Sequence, residues 1–184
     1  RYGSVMRNRS AGDWQGTEWQ VVWNGLSAHK LMAGLELQDN SQVAQATTDF
    51  GGAMADLFIA TPFRRSGLFL QDEWAVGPAL KLTLGLRTDR QSQAPSQTNP
   101  RVALIWQPRP ETTWKALYGT AHRTPNAYES RYEDRVSLVA NPRLRGERVR
   151  TLEGVMDHRV SADATLRLSV YRWTLLDGVV LGMD

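Results

Sequence analysis

The sequence predicts an all-β chain: an antiparallel meander of roughly eight or nine long strands that forms part of a larger transmembrane β-barrel. Three observations carry this reading. In Leu80-Lys81-Leu82-Thr83-Leu84-Gly85-Leu86-Arg87 the leucines occupy one face and Lys, Thr, Gly and Arg the other, which is the period of a strand. The candidate strands are long for a soluble sheet, mostly about ten residues or more, the length that crosses a bilayer when tilted. Very short connections also alternate with longer ones, like the tight turns and extended loops at the two ends of a membrane barrel.

Along the chain, residues 2–10 form the weakest strand candidate. Residues 16–27 follow, with the alternating Trp19-Gln20-Val21-Val22-Trp23-Asn24, and then 29–46, where Leu31, Ala33, Leu35 and Leu37 share a face. Strand 64–76 runs into the tight turn Val76-Gly77-Pro78-Ala79, and 79–93 returns with the leucine face. Strand 100–107 turns at Pro108-Arg109-Pro110 into 112–123. The last pair, 148–160 and 164–177, is joined across Ser161-Ala162-Asp163 and contains Leu166-Arg167-Leu168-Ser169-Val170. Residues 47–63, 91–99 and 124–147 are expected to be the long connections. Trp74, Trp106 and Trp114 fall beside short turns, where a membrane barrel carries its aromatic girdle, although ordinary packing in a soluble sheet also uses such positions.

Composition narrows the function classes. Apolar residues make up 41% of the 184-residue chain, yet no run approaches the roughly 18 that a membrane helix needs, so a helical membrane protein is excluded. A negative mean hydropathy does not exclude a barrel, whose strands alternate lipid-facing and lumen-facing residues. The chain has no cysteine, which removes disulfides and thiolate metal sites. The 22 basic and 19 acidic residues are scattered along the chain, so nucleic acid is not an expected partner. No nucleophile elbow, HExxH, phosphate-binding glycine loop or paired-carboxylate motif is present; the expectation is no enzyme, no catalytic residue, no resident metal and no cofactor. Arg1 to Ser10 lacks the apolar stretch of a signal peptide, and the sequence after Leu175 passes a turn signal without a returning strand. The chain therefore reads as part of a longer protein.

Three segments, in order, resemble the barrel of TonB-dependent outer-membrane receptors. Leu68-Phe69-Leu70-Gln71-Asp72-Glu73-Trp74 followed by Leu80 to Asp89 is similar to the family's QDEW … LTLGLRYD hairpin. Asn99-Pro100-Arg101-Val102-Ala103-Leu104 and Lys115 to Glu129 resemble NPRLAL and KLLYGRAFRAPNAYE. Asn141-Pro142-Arg143-Leu144-Arg145-Gly146-Glu147-Arg148, with Glu153 downstream, resembles NPxLKPER. Gly146, His122 and Thr124 depart from the usual Pro, Phe and Ala. The resemblance implies residues 1–184 as a partial barrel domain without its plug domain, placed in the outer membrane of a Gram-negative bacterium. It implies import of a scarce nutrient complex such as a ferric siderophore. The implied partners are outer-membrane lipid, the ligand, and the TonB complex acting through the plug. The competing reading from the residues alone is a soluble or secreted antiparallel β-domain that binds carbohydrate or protein.

Candidate site residues cluster in the 124–147 connection. Tyr128, Arg131, Tyr132 and Arg135 mix aromatic faces with cations and suit an anionic iron chelate, while Glu129, Glu133 and Asp134 among them would equally neutralise the arginines. Asn126 and Glu129 suit anchoring of the loop, because Asn favours turns and a carboxylate accepts backbone N–H groups. His29, His122 and His158 raise haem as a ligand. In haem receptors of the family the ligand His lies between the second and third of these motifs; Asn126 to Ala140 contains none, which argues against haem.

Overall fold

The computed structural model describes residues 6–51, 57–133 and 139–180. Nine strands and one short helix follow in the order β1 (Met6–Leu26), β2 (His29–Asp49), β3 (Leu57–Ala60), β4 (Phe63–Gly77), β5 (Leu80–Gln91), β6 (Ala94–Arg109), β7 (Thr112–Arg123), α1 (Ala127–Arg131), β8 (Glu147–Arg159) and β9 (Thr165–Leu176). They form one antiparallel sheet in the order β1-β2-β4-β5-β6-β7-β8-β9, with β3 paired to the outer part of β2. Among the described residues the sheet is open, and β1 and β9 are its edges.

The meander is the one expected, with three differences. The candidates at 2–10 and 16–27 are a single strand from Met6, because the turn-prone Gly12 and Asp13 stay paired with Val43 and Gln42 and the register shift beyond Asp13 puts its extra residue in β2; residues 1–5 lie outside the described set. The connection 47–63 contains the short β3. The expected long loop 91–99 is instead the turn Ser92-Gln93, with β6 already running from Ala94. Pro95 and Pro100 made that segment read as loop, since proline gives no N–H to a central ladder. β6 meets the difficulty by pairing with β7 only from Arg101 onward, so the segment with Pro95 and Pro100 pairs with β5 alone.

Register sorts side chains onto two faces. One row crosses the sheet as Val21, Ala33, Leu70 and Leu86; another crosses as His29, Trp74, Leu82, Leu104, Ala116, Gly154 and Val170; a third joins Leu80, Trp106, Trp114, Met156 and Leu168. This apolar face is broken by Asp72, whose carboxylate is 2.8 Å from His29 Nδ1 while the imidazole stacks on Trp74. The opposite face carries most of the ion pairs. Glu36 accepts from Arg65 at 2.8 Å and from Arg87 at 2.6 Å, Arg87 also holds Asp89, and Asp157 bridges Lys115 and Arg167. Arg87 reaches Glu36 by crossing β4 over Gly67, where a Cβ would stand 2.6 Å from its Nη2.

The apolar face has no second layer over it. Ile59 is the one buried apolar side chain among the described residues, while Leu68, Leu70 and Leu86 are more than half exposed. A water-soluble chain of this length buries about 68–70% of its extended surface in a core. The geometry leaves the soluble β-domain without one.

Candidate functional site

The two ends of the sheet differ. One end carries only the short connections 27–28, 78–79, 110–111 and 160–164, with Trp74, Trp106 and Trp114 beside them. The other carries 50–62, the Ser92-Gln93 turn and the long connection 124–146. Loops on a rigid scaffold are where binding residues concentrate, so the second end is the candidate site.

Local chemistry fixes the start of the long connection. Pro125 cannot extend β7, and Asn126 caps α1: its side chain accepts from the Glu129 backbone N–H at 2.8 Å, and the Glu129 carboxylate accepts from the Asn126 N–H at 2.8 Å, a complete capping box. Arg123, at the end of β7, donates to Glu129 at 2.7 Å and to its cross-strand partner Glu147 at 2.8 Å. One guanidinium thus ties the strand before the loop, the helix within it and the strand after it. The Arg123 hydrogen bond holds the Glu129 carboxyl below the usual carboxylate range, helped by the Asn126 N–H and opposed by partial burial. On the far side, Asp177 takes a left-handed conformation that ends β9, and the Val179 N–H reaches Glu147 at 2.8 Å.

Behind this tether lies a cavity of about 560 Å³ whose wall includes His122, Arg131, Arg143, Arg145, Arg148 and Arg150. Five guanidiniums face it against one lining carboxylate, that of Asp177. Arg148 donates to the neutral Gln97 at 2.9 Å, and Arg131 lies 3.4 Å from the neutral Gln93. Arg143, Arg145 and Arg150 form no ion pair among the described residues. Uncompensated charge of one sign in a cleft focuses the field and attracts an anion. Asn141 shapes the entry of this arginine run, its side chain accepting the Arg143 N–H at 3.1 Å. Beside the cavity, Asn99 bridges its lining residue His122 at 2.6 Å and Thr120 at 3.2 Å, where β6 and β7 stop pairing.

The residues singled out from the sequence separate here. Arg131 lines the cavity, whereas Tyr128 and Tyr132 stack on each other along α1, with ring centroids 4.4 Å apart, and neither lines it. Arg135 lies outside the described residues. The arginines at 143, 145, 148 and 150 are the residues that sequence reasoning missed. Charge is scattered along the chain as a whole, yet these form a local basic cluster, legible as four arginines in eight residues. The histidines do not converge: His29 meets Asp72, His122 meets Asn99 and His158 meets Thr112. No group of three His, Cys, Asp or Glu among the described residues is arranged to hold a metal ion.

Comparison with known proteins gives a consistent assignment. The family model described as TonB dependent receptor-like, beta-barrel matches residues 1–177. The chain is similar to the siderophore receptor PirA from Pseudomonas aeruginosa (20% identity, 92% of this chain and 31% of that one, TM-score 0.67). It is also similar to a mutant of the ferric enterobactin receptor PfeA from the same organism (19%, 95% and 27%, TM-score 0.71). The copper transporter OprC matches as well (18%, 92% and 31%, TM-score 0.70). The chain spans less than a third of the length of each of these structures. Among curated proteins none matches.

Proposed function

The chain belongs to the TonB-dependent receptor β-barrel family, and from that premise we propose that it builds part of the wall and loop mouth of an outer-membrane receptor importing an anionic metal chelate of the ferric siderophore kind. The observation that carries the ligand class is the arginine-lined cavity at the loop end. In this reading the apolar face meets outer-membrane lipid and the polar face lines the lumen. The TonB complex supplies energy through a plug domain elsewhere in the protein.

The geometry supports a mode of binding. Guanidiniums of Arg143, Arg145, Arg148 and Arg150 donate charge-assisted hydrogen bonds to the chelate's anionic oxygens, and planar forks suit paired oxygens. Arg131 closes the rim from α1, and the Tyr128–Tyr132 stack beside it offers an aromatic face. Arg135 joins the same loop in this reading. Asn126 and Glu129 anchor α1, so that Arg131 keeps its place without folding anew for each ligand.

Titration of the full-length receptor with ferric siderophores, followed by tryptophan quenching, tests this. The R143A/R145A/R148A variant is expected to bind at least about tenfold more weakly, because one charge-assisted hydrogen bond contributes about 1.5 kcal/mol or more. Unchanged affinity, or tight binding of Cu(II) in place of any chelate, removes the ligand class proposed here.

A further inference from the structure

A second cavity, of about 420 Å³, adjoins the arginine-lined one, and His122 lines both. Its wall includes Phe69, Gln71, Arg87, Asp89 and Arg101. Register sets Gln71, Gly85 and Arg101 in one row and Phe69, Arg87 and Asn99 in the next, on the face that carries most of the ion pairs. The mouth therefore borders a smaller chamber that lies further from the loop end.

This chamber holds one positive charge without a partner. Arg87 is paired with Asp89 at 2.7 Å and with Glu36 at 2.6 Å. Arg101 is exposed and makes no ion pair among the described residues. Its cross-strand neighbours are Gly85 and Gly119. A Cβ at Gly119 would meet nothing within 4 Å, and one at Gly85 would make only ordinary contacts from 3.7 Å outward, so the guanidinium can be approached from both sides. The aromatic wall is held in place, because Phe69 lies over its cross-strand partner Gly34, where any Cβ would collide with the ring. A single free cation beside an aromatic ring suits one flat group of charge minus one.

The partition between the two cavities is a hydrogen-bond chain with a defined direction. Thr120 Oγ1 donates to Asn99 Oδ1, which turns the Asn99 amide nitrogen toward His122 Nδ1. With Nδ1 accepting, the proton of the neutral imidazole sits on Nε2, which makes no hydrogen bond among the described residues. We infer that the ligand has two parts, a chelate core held in the arginine cavity and a flat, singly charged arm that passes His122 and ends on Arg101. The His122 N–H donates to a carbonyl of the arm's linker, and the Arg101 fork meets the terminal carboxylate. This arm site rests on the receptor reading given above and narrows its ligand class.

The test uses the full-length receptor in mild detergent and one synthetic ferric tris-catecholate in three forms: unarmed, with an arm ending in benzoate, and with the same arm ending in benzamide, each arm on a short and a long linker. Affinities are read by tryptophan quenching. Losing one charge-assisted hydrogen bond weakens binding about tenfold. The native receptor is expected to bind the benzoate form, on the better linker, tighter than the benzamide form by that factor. R101Q should bring the two armed forms to the same affinity, and R101K should keep part of the preference. H122F should weaken both armed forms alike, by roughly fivefold, and so leave the preference intact. Equal affinities of the native receptor for benzoate and benzamide on both linkers overturn the arm site, a comparison that needs no variant to fold; a preference that survives in R101Q overturns it as well. Binding of the unarmed form in either case leaves the arginine cavity as the nutrient site. Failure of every form to bind the native receptor overturns the arm site and the chelate reading together.

Discussion

Replacing Leu84 by Arg tests the facial assignment on which everything else depends. Leu84 lies on the apolar face of β5, 44% exposed, opposite Asp72 on β4 and Val102 on β6. It stands four residues from Leu80, beside the short turn, and six from Arg90, where the face turns polar. At a rise of about 3.3 Å per residue these are roughly 13 and 20 Å along the strand. A tilt of about 40° reduces them to about 10 and 15 Å of depth, which puts Leu84 near the middle of an apolar band about 25 Å tall. An arginine there is expected to cost about 2–4 kcal/mol. Thr83, one residue away, faces the other side and pairs with Glu73, so an arginine at 83 meets a carboxylate and changes stability by about 1 kcal/mol or less. The assay is the denaturant midpoint of the full-length receptor in phospholipid vesicles, read by tryptophan fluorescence. Equal losses at 83 and 84, or no loss at 84, refute the assignment.

Other positions make independent tests. Gly67→Val drives a side chain into the Arg87–Asp89 pair and should cost about 1–3 kcal/mol, most of which disappears in an Arg87→Ala background; additive losses in a double-mutant cycle would show that Gly67 serves some other purpose. Glu129 has a lowered folded-state pKa, so its contribution to the loop is fully present above its ordinary value of 4.5 and is lost as pH falls through the lowered one. Protection factors over 124–133, which remove the slowing of intrinsic exchange at low pH, should therefore fall on acidification in the native receptor, while Glu129→Gln should show low protection already at neutral pH. Asn126→Ala removes the cap and should lower protection of α1 by about 1 kcal/mol; unchanged exchange would mean that the 124–146 connection is held from elsewhere.

Legibility of the fold followed the physics of each segment. Strands such as 80–91 and 165–176 were readable because alternate positions must satisfy opposite environments, which leaves a period of two in the sequence. Residues 94–100 were unreadable as strand because their prolines obey a one-sided pairing that only the neighbouring strand's departure allows. β3 is too short to show any period. In the candidate site, Asn126 and Glu129 stood out by their turn chemistry, a local property. The grouping of Arg131 with Arg143 to Arg150 depends on how a long connection folds back over β8, which composition does not encode. Tyr128 and Tyr132 drew attention as ligand groups, and their i to i+4 spacing on a helix brings them against each other instead.

The division of the sheet into two faces has an evolutionary consequence. In the proposed receptor, successive residues of a strand such as β5 answer to different selective pressures: Leu82, Leu84 and Leu86 to the hydrocarbon outside, Thr83, Gly85 and Arg87 to the lumen. With no shared core between them, a change on one side leaves the other nearly untouched. On the receptor reading proposed above, the wall can adopt a new cargo by rewriting every second letter, while the alternate letters keep it in the same membrane.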